Sequence, residues 1–199
     1  ECAVITALGM DHVKELGPTL ADIASAKAGI IKPGSPVVSY GGVPEADAVI
    51  ARTAAERHAP LTVVDLSRLT IEDGDLDAVT FDFDGLNGIR LPLIGSYQPR
   101  NAATAITALR VLRSRGWNIP DSAIRAGLVA GRSGTGALAG PVRAAAAFAR
   151  LFAGWQPQRP RNAGHRAEPA GPLSGAEVRV PAQHHGGQGC GRDAGTAPA

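Results

Sequence analysis

The stretch CAVITALG, Cys2 to Gly9, constrains this chain more than any other. It strings β-branched and small apolar residues together without polar interruption, so it has no face to turn toward water. Such strands are found in parallel sheets covered by helices on both sides. The run leads straight into Asp11 and His12. In open α/β sheets the carboxyl ends of the strands border the ligand crevice, which gives a polar pair at that point a functional claim.

The next fifty residues alternate in a regular rhythm. Gly17-Pro18 breaks the chain, and Thr19 with Asp22 fits a capped helix start running through Ile23 to Lys27, ended by Gly29 and Pro33-Gly34. SPVVSY reads as a second strand, Pro44 opens a helix through AVIARTAAERH, and LTVVDL is a third strand. Strands alternating with helices predict an α/β fold with a parallel sheet and flanking helices. Between Leu69 and Ile94 the pattern changes to short alternating stretches, VTFDF and IRLPLI, separated by DGD and DGLNG turns, which predicts a small antiparallel element. GSYQPRNAATAITALRVLRSRGW then reads as a helix with a stripe of Ala103, Ile106, Leu109, Val111 and Leu112, and DSAIRAGL begins another.

The pattern stops near residue 130. Before it the chain carries 12 basic and 15 acidic side chains; after it come 8 arginines against 3 acids, with no lysine, isoleucine, methionine or tyrosine, but 13 of the 25 glycines and 7 of the 15 prolines. Such a segment has little apolar surface to offset the entropy of ordering a chain. Residues 1–130 are therefore expected to fold, and 131–199 to form a low-complexity, disordered tail. Cys2 and Cys190 sit at opposite ends and give neither a disulfide framework nor a CxxC metal pair. No apolar run spans a bilayer and no signal-peptide pattern precedes the first strand, so the expectation is a cytoplasmic protein with no membrane partner.

Lys27 stands among Ala24, Ala26, Ala28 and Ile30 with no other charge nearby in sequence. A lysine in such surroundings loses hydration, and a partner or a chemical modification must be considered. A late-helix lysine can also extend to solvent or interact with the helix C-terminus.

Two blocks, ITALGMDHVKELGPTLADIASAKAGIIKPGSPVV and LPLIGSYQPRNAATAITAL, resemble the central signatures of folylpolyglutamate synthases and dihydrofolate synthases, ATP-dependent amide-forming enzymes of the Mur ligase superfamily. The resemblance spans residues 1–130 and implies part of that superfamily's central ATP-binding domain. It implies that His12 is a magnesium ligand, and that Lys27 is carboxylated by carbon dioxide to a carbamate that also binds magnesium. A desolvated lysine with a depressed pKa presents the neutral amine that this modification needs. Asn101 matches the asparagine that contacts the adenine of ATP, and Asp11 would orient His12. Read without the resemblance, His12 could merely hydrogen-bond near a strand end, Asn101 could serve a helix start, and Asp11 could cap the adjoining turn.

The implied reaction joins L-glutamate to dihydropteroate or folate through an acyl phosphate, with ATP and Mg2+ and no covalent enzyme nucleophile. The family's phosphate-binding glycine loop and a glutamate metal ligand would precede Glu1, so this chain on its own is expected to be an inactive, monomeric fragment. Another Mur-type amide ligase and a non-catalytic scaffold are the alternatives.

Downstream, the family's PGR and DGAHN-like motifs are replaced by GRSGTGALAG and FAGWQPQRPR. Reading the codons of RSGTG one nucleotide later permits Ala-Pro-Gly-Arg, and reading those of AGWQPQR in the same way permits Leu-Asp-Gly-Ser-His-Asn, with the glycine forced by the single codon of Trp155. A frameshift near residue 130 is therefore expected. A basic arm from Arg132 to Arg192 lacks the interleaved aromatics of a nucleic-acid binder, and His165, His184 and His185, spread among glycines, make a poor metal site.

Overall fold

The computed structural model describes residues 2–9, 17–74, 77–93, 95–130, 145–146 and 176–178. The first strand, β1 (Cys2–Ile5), is buried at every position, as an apolar run without a polar face requires. It pairs in parallel with β2 (Val37–Ser39), which pairs in parallel with β3 (Leu61–Val63). A three-residue strand, Ala176–Val178, lies antiparallel on the other edge of β1. Its pairing is through the backbone, which any extended segment can supply.

Helix α1 (Leu20–Ala28) joins β1 to β2. Its start is fixed by a capping box in which the Asp22 backbone N–H donates to Thr19 Oγ1 at 3.1 Å and the Thr19 N–H donates to Asp22 Oδ2 at 3.1 Å. Helix α2 (Pro44–Glu56) joins β2 to β3, with Pro44 in the first turn, where its missing N–H costs nothing. Both βαβ passages read from the sequence are present.

The annex is a three-stranded antiparallel sheet, ordered β4 (Leu69–Gly74), β5 (Val79–Phe83), β6 (Leu86–Leu91). Its tight turn is Asp84-Gly85, both with positive φ (47° and 83°), the left-handed pair that suits the twist of a two-residue hairpin. The sequence suggested the whole of DGLNG as turn; instead Leu86, Asn87 and Gly88 already belong to β6. Leu86 is 2% exposed, and packing that side chain draws the strand to its earliest residue. Strand β4 was not separately marked by the sequence.

Helix α3 (Gln98–Ser114) covers β1 and β2 and also touches the annex, and α4 (Asp121–Val129) packs beside β6. Alternation along the strands divides the core. Cys2, Val4 and Val38 join Phe81, Leu91, Ile106 and Leu109 on the α3 face, whereas Ala3, Ile5 and Val37 join Ala28, Ile31 and Ile50 on the α1–α2 face. Each fully buried side chain of this size contributes about 1.5–3 kcal/mol. No helix among the described residues is long and apolar enough to cross a membrane.

Candidate functional site

The direction of α3 decides where its polar residues lie. The charge of Arg115, just past the end of α3, acts on the Cys2 thiol at the start of β1. The helix therefore runs antiparallel to the strand. Counting back at about 1.5 Å per residue puts Asn101 about 21 Å from Arg115, whereas Thr6 lies only about 13 Å along the strand from Cys2. The first half of α3, with Asn101, therefore lies toward the end of the sheet at which β1 terminates.

All five buried polar residues of the described core sit at this end. Thr6 and Ser39 are the last residues before the strands turn away, and Gln98, Asn101 and Thr104 lie in the first half of α3, each no more than 7% exposed. By alternation Thr6 shares the face of Cys2 and Val4, toward α3, while Ser39 shares that of Val37. The Thr104 hydroxyl donates to the Arg100 carbonyl at 3.0 Å. The Thr6 hydroxyl is buried without a hydrogen-bond partner. Sequence reading missed Thr6, Gln98 and Thr104. The signal was the spacing of 98, 101 and 104, one residue per turn on a common helix face, together with one hydroxyl inside a run read as apolar.

Lys27 is placed elsewhere. It is half-buried in the last turn of α1, one turn beyond the buried Ile23 and Ala24. Arg57, at the end of α2, donates to the carbonyls of Gly29 (3.2 Å) and Ile31, and accepts from the Gly34 N–H at 2.9 Å. These bonds tie the end of α1 to the end of α2. The two core clusters put α1, with Lys27 in its last turn, and α3, with Asn101, on opposite faces of the sheet. Helical Cα–Cβ bonds tilt toward the helix N-terminus, so the lysine stem leaves its backbone in the direction of the strand tips. Asp11 and His12 lie outside the described residues.

Two helix N-termini carry carboxylates of the chain itself in the first turn. Asp22 caps α1, and Asp47 Oδ2 accepts from the N–H groups of Gly42 (3.0 Å) and Val43 (3.1 Å) ahead of α2. A phosphate would be repelled there rather than cradled. Helix α3, by contrast, has no acidic residue in its first turn and carries Arg100 there.

Magnesium finds no built site among the described residues, where no group of three His, Cys, Asp or Glu side chains could hold a metal. Lys27 offers a cation unless modified. No step through a metal follows from these residues.

An open parallel sheet with helices on both faces and polar side chains gathered at its carboxyl edge defines an α/β domain of the kind that takes its ligand at the strand tips. Among known proteins the chain is similar to the dihydrofolate synthase/folylpolyglutamate synthase of Bacillus subtilis (40% identical over 133 residues, covering 63% of this chain and 31% of that one) and to the folylpolyglutamate synthase of Lacticaseibacillus casei (35% over 142 residues, 64% and 31%). A solved FPGS–AMPPCP complex superimposes with a TM-score of 0.56 at 34% identity, covering 65% of this chain and 33% of that one. A further solved complex holds AMPPCP and folate. No family model matches the chain. The chain spans about a third of the length of the curated relatives it matches.

Proposed function

We propose that residues 1–130 form part of the nucleotide-binding domain of an ATP-dependent ligase that joins L-glutamate to dihydropteroate or a folate. What supports this reading is a buried asparagine, Asn101, in the first half of α3 of a chain 40% identical over 133 residues to a dihydrofolate/folylpolyglutamate synthase. An amide offers a donor and an acceptor side by side, matching the edge of a purine. At the other side of the sheet, Lys27 reacts through its neutral amine with carbon dioxide to give a carbamate. That carbamate and His12, oriented by Asp11, are the proposed ligands of Mg2+.

In the ligation itself, the substrate carboxylate attacks the γ-phosphorus of ATP and ADP leaves. The glutamate amine then attacks the acyl phosphate and phosphate departs, leaving the amide. The described residues supply nucleotide recognition; the carboxylates at the starts of α1 and α2, Asp22 and Asp47, disfavour phosphate there. Neither of those two helix starts is a phosphate site, and this chain alone binds nucleotide without turning it over. Its proposed setting is the cytoplasm, as a monomer.

Isothermal titration with Mg2+ and ATP tests the reading, alongside phosphate release in the presence of dihydropteroate or tetrahydrofolate and glutamate. Heat without turnover is expected. No heat rejects the nucleotide site and favours a non-catalytic scaffold, and turnover rejects the dependence on further segments. Residues 131–199 are read as an out-of-frame continuation, which the pairing of Ala176–Val178 through its backbone does not oppose. Sequencing the source gene decides this: Trp155 in the frame of the relatives' C-terminal domain overturns it.

A further inference from the structure

The backbone of β1 faces two ways. The Ala3 N–H donates to the Pro36 carbonyl, and the Ile5 carbonyl accepts from the Tyr40 N–H, so these two residues turn their peptide groups toward β2. Peptide groups alternate along a strand, and Cys2 and Val4 therefore turn theirs toward the opposite edge. Both residues are buried, Val4 completely. Buried peptide groups require partners, and among the described residues the segment that meets this edge is Ala176–Val178. Cys2 stands opposite Val178 and Val4 opposite Ala176. These two are the pairs that exchange N–H···O bonds, while Ala3 and Glu177 form the unbonded pair between them.

A second contact ties the same stretch of chain to the fold. Ala145 and Ala146 are fully buried, and Ala145 belongs to the core cluster that contains Cys2 and Val4. They pass so close to α4 that a Cβ at Gly127 would come within 2.4 Å of the Ala145 Cβ. Only glycine admits that approach. At the opposite edge of the sheet β3 is only half-buried, with Val63 51% exposed. Complete burial is thus a property of the β1 edge and not of edge strands as such.

We propose that the outer edge of β1 is a strand-accepting surface whose occupant is Ala176–Val178 of the same chain, a strap that keeps a second copy of the chain from pairing there. An unpaired strand edge is a template for another chain. Two such edges can pair antiparallel about Ala3, with Cys2 of each copy opposite Val4 of the other. The strap acts through peptide groups and is independent of the nucleotide reading.

Hydrogen exchange of the β1 amides, with sedimentation of the full chain over a range of concentrations, tests this. The variants are Ala176→Pro combined with Val178→Pro, which removes the two N–H groups facing β1, and Glu177→Pro, which removes one facing away. In the parent and in Glu177→Pro the Val4 amide should be protected and the chain monomeric. In the double variant at low concentration the Val4 amide should exchange about tenfold faster, the equivalent of one lost hydrogen bond, while Ala3, bonded to β2, keeps its rate. At higher concentration that variant should dimerise and regain protection at Val4. Unchanged Val4 exchange in the double variant overturns the proposal, as does equal acceleration at Ala3, which would make the strand part of the cooperative core. A double variant that stays monomeric at every concentration, a parent that dimerises, or a Glu177→Pro chain that loses protection alike overturns it too.

Discussion

Asp84 is the residue at which the annex is fastened to α3, and its replacement has a calculable cost. Arg110 donates from Nη1 to the Asp84 carboxylate and from Nη2 to the Asp84 carbonyl at 2.9 Å. Its side chain is 20% exposed and that of Asp84 34%. A hydrogen bond between charged groups is worth about 1.5–3 kcal/mol, and partial exposure reduces this one to about 1–2 kcal/mol. The second bond to the carboxylate, from Arg68, is screened by solvent and receives no weight. Asp84 also holds φ at 47°, a left-handed conformation that costs an alanine about 1 kcal/mol more than a glycine.

Asp84→Ala should therefore destabilise the fold by about 2 kcal/mol, or about 6–8 °C in melting temperature for a domain of this size. Asp84→Gly, which loses the carboxylate but not the backbone ease, should cost about 1 kcal/mol less. Urea unfolding followed by circular dichroism measures both, and a double-mutant cycle of Asp84→Asn with Arg110→Met isolates the pair, with an expected coupling of about 1–2 kcal/mol. Equal losses for alanine and glycine would refute the backbone contribution. A coupling below about 0.3 kcal/mol would refute the clamp.

Other consequences can be checked singly. Burial pushes the Cys2 thiol from 9.0 up to about 11, so Cys2 should resist alkylation at neutral pH in the native chain and react only on unfolding, as read by mapping the labelled residue. Because the folded pKa is the higher one, this group's stabilising contribution is complete below pH 9 and lost as pH rises through 11; flat stability over that window in a comparison with Cys2→Ala would contradict it. Asn101→Ala should weaken Mg–ATP binding about tenfold, the loss of one to two hydrogen bonds, as read by calorimetry. Carbon-13 bicarbonate should give a carbamate resonance that disappears in Lys27→Arg, and its absence in the parent would remove the lysine from the proposed metal site. Ile5→Ala, at a fully buried position, should cost about 2–5 kcal/mol in urea unfolding.

The sequence by itself determined the parallel sheet, because an apolar run such as Cys2–Gly9 can be buried only between two layers of helices. It also determined the helix starts at Thr19 and Pro44, where the signals are chemical and local: a hydroxyl with a carboxylate three residues on, and a ring that fixes φ. The annex was legible through its alternation, although Leu86 moved the turn once packing was counted. Asn101 and Lys27 could be named as chemical candidates from one-dimensional motifs; Asn101 is buried and Lys27 half-buried.

Only the tertiary structure decided which face each residue occupies. Strand alternation divides the core so that α3, with Asn101, lies on one side of the sheet and α1, with Lys27 in its last turn, on the other. No local pattern encodes those relations, since they depend on contacts between segments far apart in the chain. The same holds for Thr6: along the chain it is one more β-branched residue, and its hydroxyl becomes a distinctive group only when α3 closes over it.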